Sequence, residues 1–288
     1  MKPFTTLTLL LAFTLSGRAD EAHDLWPGLA PGETTRHPGV TQPFRPHEKP
    51  PVTRVTQITQ PKFTVHLAEK PNGAGIVILP GGGFGKVVTD KEGTEAAKWL
   101  NELGIAAFVL SYRTNEGDED LDGWEKPLQD AQRLLSMVRS RAEEWKLKKN
   151  RIGLLGFSAG GHVAARVLSS NERSYRLVDD HDYLAFRPDF ALLIYPWKIY
   201  DPTTSRLAGG IEILDSCPTT FLLHTDDDQS TSLGAVLFYA GLKKKRIPAE
   251  LHVYGNGGHG YGLREVEGSE VATWPDRAAH WLKRWLKN

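Results

Sequence analysis

Apolar runs of strand length recur along the chain after about residue 62. Several of them, such as Ile152–Phe157, are nearly continuous in apolar residues and do not alternate with polar ones. Runs of this kind are typical of strands buried on both faces of a parallel sheet. We therefore predict seven strands, at Phe63–Leu67, Gly75–Leu79, Ala106–Tyr112, Ile152–Phe157, Phe190–Tyr195, Thr220–His224 and Leu251–Tyr254.

Segments with helical periodicity separate these runs. In the last of them, Trp281, Leu282 and Trp285 are spaced to cover one face, and Pro275 occupies a plausible first-turn position. Strands alternating with helices indicate crossover connections, hence an α/β fold with a doubly wound, mostly parallel sheet and helices on both faces. The predicted helices are Thr94–Leu103, Pro127–Trp145, Ala159–Leu168, Ser232–Lys245 and Pro275–Leu286.

The chain divides into a short leader, a segment without periodicity and one domain. Residues 20–61 are rich in proline and polar residues, which predicts a segment that wraps over the surface of the domain. Residues 62–288 are predicted to form a single α/β catalytic domain, since no repeat or second boundary stands out.

Residues 1–19 have the pattern of a secretory signal peptide. Lys2 supplies a positive charge, Leu7–Leu15 is an apolar stretch too short to span a bilayer, and Gly17–Ala19 offers small residues for cleavage after Ala19. We therefore predict a secreted or periplasmic protein. No cysteine lies near the cleavage site, so a lipoprotein anchor is not expected.

The composition narrows the range of partners. Of the 288 residues, 40% are hydrophobic and 24% are charged, and the formal net charge is zero. Without a basic excess, neither nucleic acid nor an anionic membrane is an expected partner. The single cysteine, Cys217, excludes an intrachain disulfide.

The motif Gly156-Phe157-Ser158-Ala159-Gly160 joins a predicted strand to a predicted helix. In this context the small residues permit a sharp turn that holds the serine in strained geometry above the sheet edge. Ser158 is therefore a candidate nucleophile, and the N–H of Ala159 is a candidate oxyanion donor. The alternative is a small-residue turn that merely starts a helix.

A nucleophilic serine needs a base, and His259 is the best placed of ten histidines. It follows the last predicted strand and is flanked by glycines, which allow its loop to reach over the sheet edge. Four histidines precede the serine, His280 lies in the last helix and His252 lies within a strand. His162, one helical turn beyond Ser158, is expected to pack or hydrogen-bond beneath the turn.

The acid that orients the histidine should follow the preceding strand. Asp226, Asp227 and Asp228 all do so, and their spacing from the strand favours Asp228, with Asp227 second. His224 with these aspartates offers an alternative as a cation site. Consecutive ligands diverge in direction, however, and we predict neither a metal nor any other cofactor.

A glycine-rich loop follows the strand Gly75–Leu79 and reads "PGGGFG". Its bare backbone can approach a substrate oxygen and supply a second oxyanion donor. A phosphate-binding loop is disfavoured, because Pro80, Lys86 and Val87 stand where the two nucleotide-binding motifs require other residues.

Together, these motifs resemble the serine esterases of the α/β-hydrolase fold, and more closely the exported bacterial acetylxylan and other carbohydrate esterases. The resemblance implies Ser158 as nucleophile, Asp228 as acid and His259 as base, with Gly82, Gly83 and Ala159 as oxyanion donors. The sequence departs from the family pattern at two places. Pro80 stands in place of the histidine of the common HGGG form, and the segment after Asp228 is polar. The matching stretches are "LWPGLAPGE", "PGGGFGKVVTDKEGTEAAKWLNELGIAAFVLSYR", "LQDAQRLLSMVRSRAEEWKLKKNRIGLLGFSAGGH", "RPDFALLIYP" and "PAELHVYGNGGHGYGL".

The expected reaction is removal of a small acyl group, acetyl in the first place, from a polysaccharide or oligosaccharide through an acyl-enzyme. The expected partner is thus a small ester or an acylated carbohydrate. Trp197, just after a predicted strand, is the candidate to line the acyl or sugar pocket. The alternatives are a peptidase or lipase-like esterase of the same fold and a catalytically silent binding module.

Overall fold

The computed structural model describes residues 22–115 and 123–286. The predicted signal peptide, residues 1–19, lies outside the described residues. The strands are β1 (Ala22–Asp24), β2 (Pro38–Thr41), β3 (Arg54–Ile58), β4 (Lys62–His66), β5 (Gly75–Leu79), β6 (Val87–Val88), β7 (Ala106–Ser111), β8 (Ile152–Phe157), β9 (Phe190–Ile194), β10 (Tyr200–Asp201), β11 (Arg206–Leu207), β12 (Thr219–Thr225) and β13 (Ala249–Tyr254). The α-helices are α1 (Glu95–Glu102), α2 (Glu125–Ser140), α3 (Ala159–Leu168), α4 (Leu233–Lys244) and α5 (Trp274–Leu286).

An eight-stranded sheet runs through the centre of the domain in the order β1-β4-β7-β5-β8-β9-β12-β13. The six strands from β7 to β13 in this order are parallel. On one side of the sheet, β4 pairs antiparallel with β7, and β1 pairs antiparallel with β4. Every residue of β5, β8 and β9 is buried, as their continuous apolar runs predicted. The predicted α/β class, with a mostly parallel sheet, is confirmed.

Helices cover both faces of this sheet. One apolar core includes Leu134 of α2, Val163 of α3 and Phe238 of α4. The other includes Leu100 of α1 and Trp281 of α5. No helix in the described part of the chain is both long and apolar enough to cross a bilayer.

Helix α2 is shorter than its sequence pattern predicts. It ends at Ser140, whereas the apolar periodicity continues to Trp145. Residues 141–146 form turns instead, and Lys146 adopts a positive φ of 55°. The indole of Trp145 nevertheless reaches the core, with its ring 4.6 Å from that of Phe108. The apolar pattern therefore reports the burial of Trp145 and not the length of the helix.

The segment before β4 is more regular than its sequence suggests. It was expected only to wrap over the surface, yet it supplies β1 to the central sheet and β2 and β3 to a small sheet with β6. Trp26 is buried, and its indole N–H donates to Asp130 of α2 at 2.8 Å. Arg113 donates to the same carboxylate and to the carbonyl of Pro31. These strands have partners distant in sequence, so local periodicity does not reveal them.

The carboxyl ends of the parallel strands meet at one edge of the sheet. Ser158 follows β8, the glycine-rich loop follows β5, the aspartates follow β12 and His259 follows β13. In open α/β sheets this edge is where ligands bind. The topology therefore gathers the candidate residues from four separate stretches of the chain.

Candidate active site

The turn between β8 and α3 holds Ser158 in strained backbone geometry. Its φ and ψ are 52° and −119°, a conformation that non-glycine residues rarely adopt. Strain of this kind typically costs about 1–3 kcal/mol and persists only where neighbouring structure enforces it. Two hydrogen bonds do so: the Ser158 N–H donates to Ile194 O, and the Trp197 N–H donates to Ser158 O, each at 3.0 Å.

The two glycines of the motif are required by close backbone contacts. A Cβ at Gly156 would collide with the carbonyl of Gly160, and a Cβ at Gly160 would collide with the carbonyl of Leu79 at the end of β5. The start of α3 thus lies directly against the strand that leads into the glycine-rich loop.

His259 lies over Ser158, although 101 residues separate them. The Ser158 hydroxyl and His259 Nε2 are 2.7 Å apart. Three glycines with positive φ, Gly257, Gly258 and Gly260, shape the loop that carries the imidazole from β13 to this position. His259 is the histidine that the structure brings to the serine.

Asp228 lies on the opposite side of the His259 ring. Its Oδ2 is 2.5 Å from Nδ1, and its side chain is only 1% exposed. Because a carboxylate only accepts, Nδ1 carries the hydrogen and Nε2 is free to accept the Ser158 proton. Burial raises the pKa of the Asp228 carboxyl, but the hydrogen bond and charge of His259 and the Ser230 N–H together lower it below its ordinary value. Asp228 therefore stays ionised beside the imidazole.

The neighbouring aspartates point elsewhere. Asp227 accepts from the N–H groups of Gly257 and Gly258 at 3.1 and 2.8 Å, so it holds the loop that precedes His259. The Asp226 side chain is exposed. Among the described residues, no cluster of three or more His, Cys, Asp or Glu side chains is arranged to hold a metal ion.

The glycine-rich loop approaches Ser158 closely. Gly82 and Gly83 adopt φ values of 141° and 64°, and a Cβ at Gly82 would collide with the carbonyl of Lys86. A Cβ at Gly81 would lie 2.7 Å from the Cβ of Ser158. The backbones of this loop and of Ala159, the first residue of α3, therefore flank the serine from two sides.

His162 is a buried structural residue. Its Nδ1 lies 3.0 Å from the carbonyl of Trp197, and its Nε2 lies 2.8 Å from Nε of Arg166. The carbonyl only accepts and the guanidinium only donates, so the imidazole is neutral with its hydrogen on Nδ1. Burial, together with the charge of Arg166, lowers the pKa of His162 to about 3. Both ring nitrogens are thus engaged beneath the turn, as the sequence predicted.

This lowered pKa predicts acid sensitivity of the fold. As the pH falls below about 6.5, the unfolded chain binds a proton at His162 before the folded chain does, and folded protein loses stability until about pH 3. The variant His162→Gln can form the same two hydrogen bonds but has no group that titrates. We expect it to reduce the dependence of the free energy of unfolding on pH by up to about 1.4 kcal/mol per pH unit. Urea unfolding of parent and variant between pH 4 and 7 measures this difference. Equal slopes would contradict the assignment.

A cavity of about 710 Å³ lies against the loop that follows Asp228, and none of Ser158, Asp228 and His259 lines it. Its lining includes His162, Lys198 and the three residues that follow Asp228, so it borders the site on the side of β9 and β12. The partly buried ring of Trp197 packs edge-on against Phe84, with centroids 5.7 Å apart, and Lys198 Nζ lies 4.2 Å from its centre. The role of Trp197 in substrate binding stays a prediction.

Two side chains that the sequence analysis did not single out also lie at the site. The ring of Tyr195 meets the ring of His259 edge-on, with centroids 5.0 Å apart, and the Tyr195 hydroxyl donates to Glu92. Tyr195 directly follows β9, and that position at the carboxyl edge is a signal that could have indicated it. Glu92 lies in a π-helical turn, Asp90–Thr94, and nothing local in the sequence marks it.

Comparison with known proteins shows a similarity of the chain to esterases. The BD-FAE family model matches residues 65–187. An acetylxylan esterase of Xylanibacter ruminicola is 27% identical over 269 residues, which cover 80% of this chain and 51% of that protein. The chain thus spans about half the length of this relative.

Solved structures extend the likeness over nearly the whole chain. An acetyl ester-xyloside bifunctional hydrolase from Caldicellulosiruptor lactoaceticus is 28% identical with a TM-score of 0.69, over 94% of this chain and 98% of that one. MGS-M1, an α/β hydrolase from a Medee basin deep-sea metagenome library, is 24% identical with a TM-score of 0.62, over 88% and 100% of the two chains. The chain resembles acetylxylan esterases in sequence and shares its fold with these hydrolases.

Proposed function

We propose that this chain, which has the α/β-hydrolase fold, is a serine carboxylic-ester hydrolase that removes small acyl groups, acetyl in the first place, from polysaccharide or oligosaccharide esters. One observation carries the proposal. Ser158, His259 and Asp228 form a continuous hydrogen-bonded chain of 2.7 and 2.5 Å, and the serine has strained backbone geometry at the carboxyl edge of a parallel sheet. This arrangement can activate a hydroxyl for acyl transfer.

In the first half of the reaction, Ser158 Oγ attacks the ester carbonyl carbon while His259 Nε2 takes its proton. Asp228 holds the Nδ1–H and stabilises the imidazolium that forms. The negative charge on the carbonyl oxygen is stabilised by N–H groups of Gly82, Gly83 and Ala159. The carbon–oxygen bond to the alcohol then breaks, and His259 returns its proton to the leaving sugar oxygen. The acyl group remains on Ser158.

In the second half, water takes the place of the alcohol. His259 removes a proton from the water, whose oxygen attacks the acyl carbon and forms a second tetrahedral intermediate. The bond to Ser158 Oγ breaks and His259 protonates the serine. The acid leaves, and the enzyme returns to its starting state without a cofactor.

The proposed substrate class rests on the relatives and on the cavity that borders the loop after Asp228. Two relatives are named for acetyl esters of xylan or for acetyl ester and xyloside hydrolysis. Polar side chains on the wall of the neighbouring cavity, among them Lys198, Gln229 and Ser230, offer hydrogen bonds to the hydroxyl groups of a sugar. Acylated plant polysaccharides lie outside the cell, which accords with the prediction that residues 1–19 direct export.

Release of acetate from polysaccharides tests the substrate. We expect residues 20–288 to release acetate from at least one of acetylated xylan, pectin and mannan, and to hydrolyse p-nitrophenyl acetate faster than the butyrate and octanoate esters. Acetate assay and absorbance at matched enzyme concentration measure both. A preference for butyrate or longer esters with no acetate released from any polysaccharide would refute the carbohydrate assignment while leaving an esterase.

A further inference from the structure

Glu92 is a buried carboxylate that joins two loops of the active site. It is only 2% exposed. Its Oε2 accepts from the N–H of Gly81 at 2.7 Å, at the start of the glycine-rich loop. Its Oε1 accepts from the hydroxyl of Tyr195 at 2.8 Å. A carboxylate is suited to this position because it accepts on both oxygens and donates on neither.

Tyr195 extends the connection to the loop that carries His259. Its hydroxyl accepts from the N–H of Gly262 at 2.9 Å, three residues after His259. Since a hydroxyl has one hydrogen, Tyr195 donates to Glu92 and accepts from Gly262. Burial, reinforced by the charge of Glu92, raises the pKa of Tyr195, so the hydroxyl keeps that hydrogen.

The space around Gly81 makes the position of the loop sensitive to Glu92. A Cβ at Gly81 would lie 2.6 Å from Glu92 Oε2 and 2.7 Å from the Cβ of Ser158. The Gly81 backbone is therefore held between the carboxylate and the serine. A shift of this glycine would move the N–H groups of Gly82 and Gly83, which are the next two in the chain.

We propose that Glu92 is a positioning residue for ester hydrolysis, which sets the glycine-rich loop against Ser158 through Gly81 and the His259 loop through Tyr195. This inference rests on the proposed function. Because an oxyanion contact strengthens as charge develops, misplacing the loop slows turnover more than it weakens substrate binding. Glu92 touches no reacting atom in this arrangement and acts through its two partners.

The test is Glu92→Gln, which keeps the side-chain volume but replaces one acceptor oxygen with an NH₂ group facing a donor. We expect kcat for p-nitrophenyl acetate to fall about 10- to 100-fold, with KM changed less than about threefold. Affinity for a boronic acid, which forms a tetrahedral adduct with the serine, should fall in parallel with kcat. Titration with a fluorophosphonate gives the concentration of reactive serines. Dividing each rate by that concentration gives kcat per folded, reactive enzyme molecule.

Asp182→Asn is a matched control. Asp182 is also buried, and like Glu92 it accepts from a tyrosine hydroxyl, Tyr175 at 2.7 Å, and a backbone N–H, Val178 at 2.8 Å. Unlike Glu92, it also pairs with the guanidinium groups of Arg133 and Arg173, so the loss of stability should be the larger one. It lies in a short 3₁₀ turn packed against α2, away from the triad loops. This variant should lose stability but keep the parent kcat per titrated site.

Two results would overturn the proposal: an unchanged kcat per site in Glu92→Gln, or an equal loss in Asp182→Asn. If Glu92→Gln does not fold, Tyr195→Phe decides, since it removes the hydrogen bonds of Tyr195 with Glu92 and Gly262 and leaves the bond between Glu92 and Gly81. It should lower kcat per site about 3- to 10-fold, and an unchanged value would also overturn the proposal. Failure of the proposed function would give a different result from failure of this proposal, because the parent itself would then hydrolyse esters no faster than Ser158→Ala.

Discussion

Ser158→Ala is expected to lower kcat for p-nitrophenyl acetate by about 10⁴- to 10⁶-fold, the largest effect of any single substitution in this chain. The variant loses the only atom that can form the acyl-enzyme, while binding and the oxyanion donors remain. Alanine has the same Cβ as serine and is equally strained at a φ of 52°, so the fold should be unaffected. Initial rates, with thermal unfolding as a check on folding, measure the effect.

Ser170→Ala is the control for this experiment. Its hydroxyl donates to the Arg166 carbonyl at 2.7 Å, just beyond the far end of α3 and roughly 18 Å along the helix direction from Ser158. This variant should keep the parent activity. Equal hydrolysis by Ser158→Ala and the parent would refute the nucleophile and, with it, the proposed mechanism. A silent binding module would be favoured if neither protein exceeded the uncatalysed rate.

Asp228→Asn is expected to lower kcat by about 10⁴-fold, because an amide NH₂ in place of Oδ2 cannot accept from Nδ1 of His259. The imidazole would adopt the other tautomer, in which Nε2 carries a hydrogen and no longer accepts the Ser158 proton. The geometry of the site would be little changed, since aspartate and asparagine have the same shape. Steady-state kinetics at neutral pH measure this loss.

Asp227→Asn is the matched control, one residue away and with the same chemical change. Its partners are the backbone N–H groups of Gly257 and Gly258, and the remaining amide oxygen can still accept from one of them. We expect a loss of less than about tenfold. A larger loss in Asp227→Asn than in Asp228→Asn would show that the orienting acid has been assigned to the wrong aspartate.

The strands of the parallel sheet could be predicted because strands buried on both faces consist of consecutive apolar residues. Runs such as Ile152–Phe157 and Phe190–Ile194 are apolar throughout and lie in the middle of the sheet. The strands β1, β2 and β3 could not be predicted, because they are three to five residues long, contain few buried residues and pair with segments elsewhere in the chain. β1 pairs with the outer strand β4 of the central sheet, whereas β2 and β3 form a separate small sheet with β6.

The residues of the candidate site also fall into two groups, those with a local signature in the sequence and those without one. The serine motif, the glycine-rich loop and the glycine-flanked His259 each have a local signature, so sequence alone could nominate them. The choice between Asp227 and Asp228 depends on a weaker signal, spacing from the strand, which favours Asp228 but does not give the direction of either side chain. Glu92 has no local signature at all, since its relation to the two loops arises from contacts across 11 and 103 residues of chain. Tyr195 has only its position at the end of β9.

The sequence by itself determined the α/β class, the order of the main elements and the residue types that converge on one sheet edge. Periodicity, glycine placement and strand ends are properties of short stretches and can be read directly. Only the tertiary structure showed that Asp228, which its spacing from the strand favours, meets His259, that both ring nitrogens of His162 have other partners, and that Glu92 connects two loops. Each of these depends on the direction of a side chain in three dimensions, which local sequence does not encode.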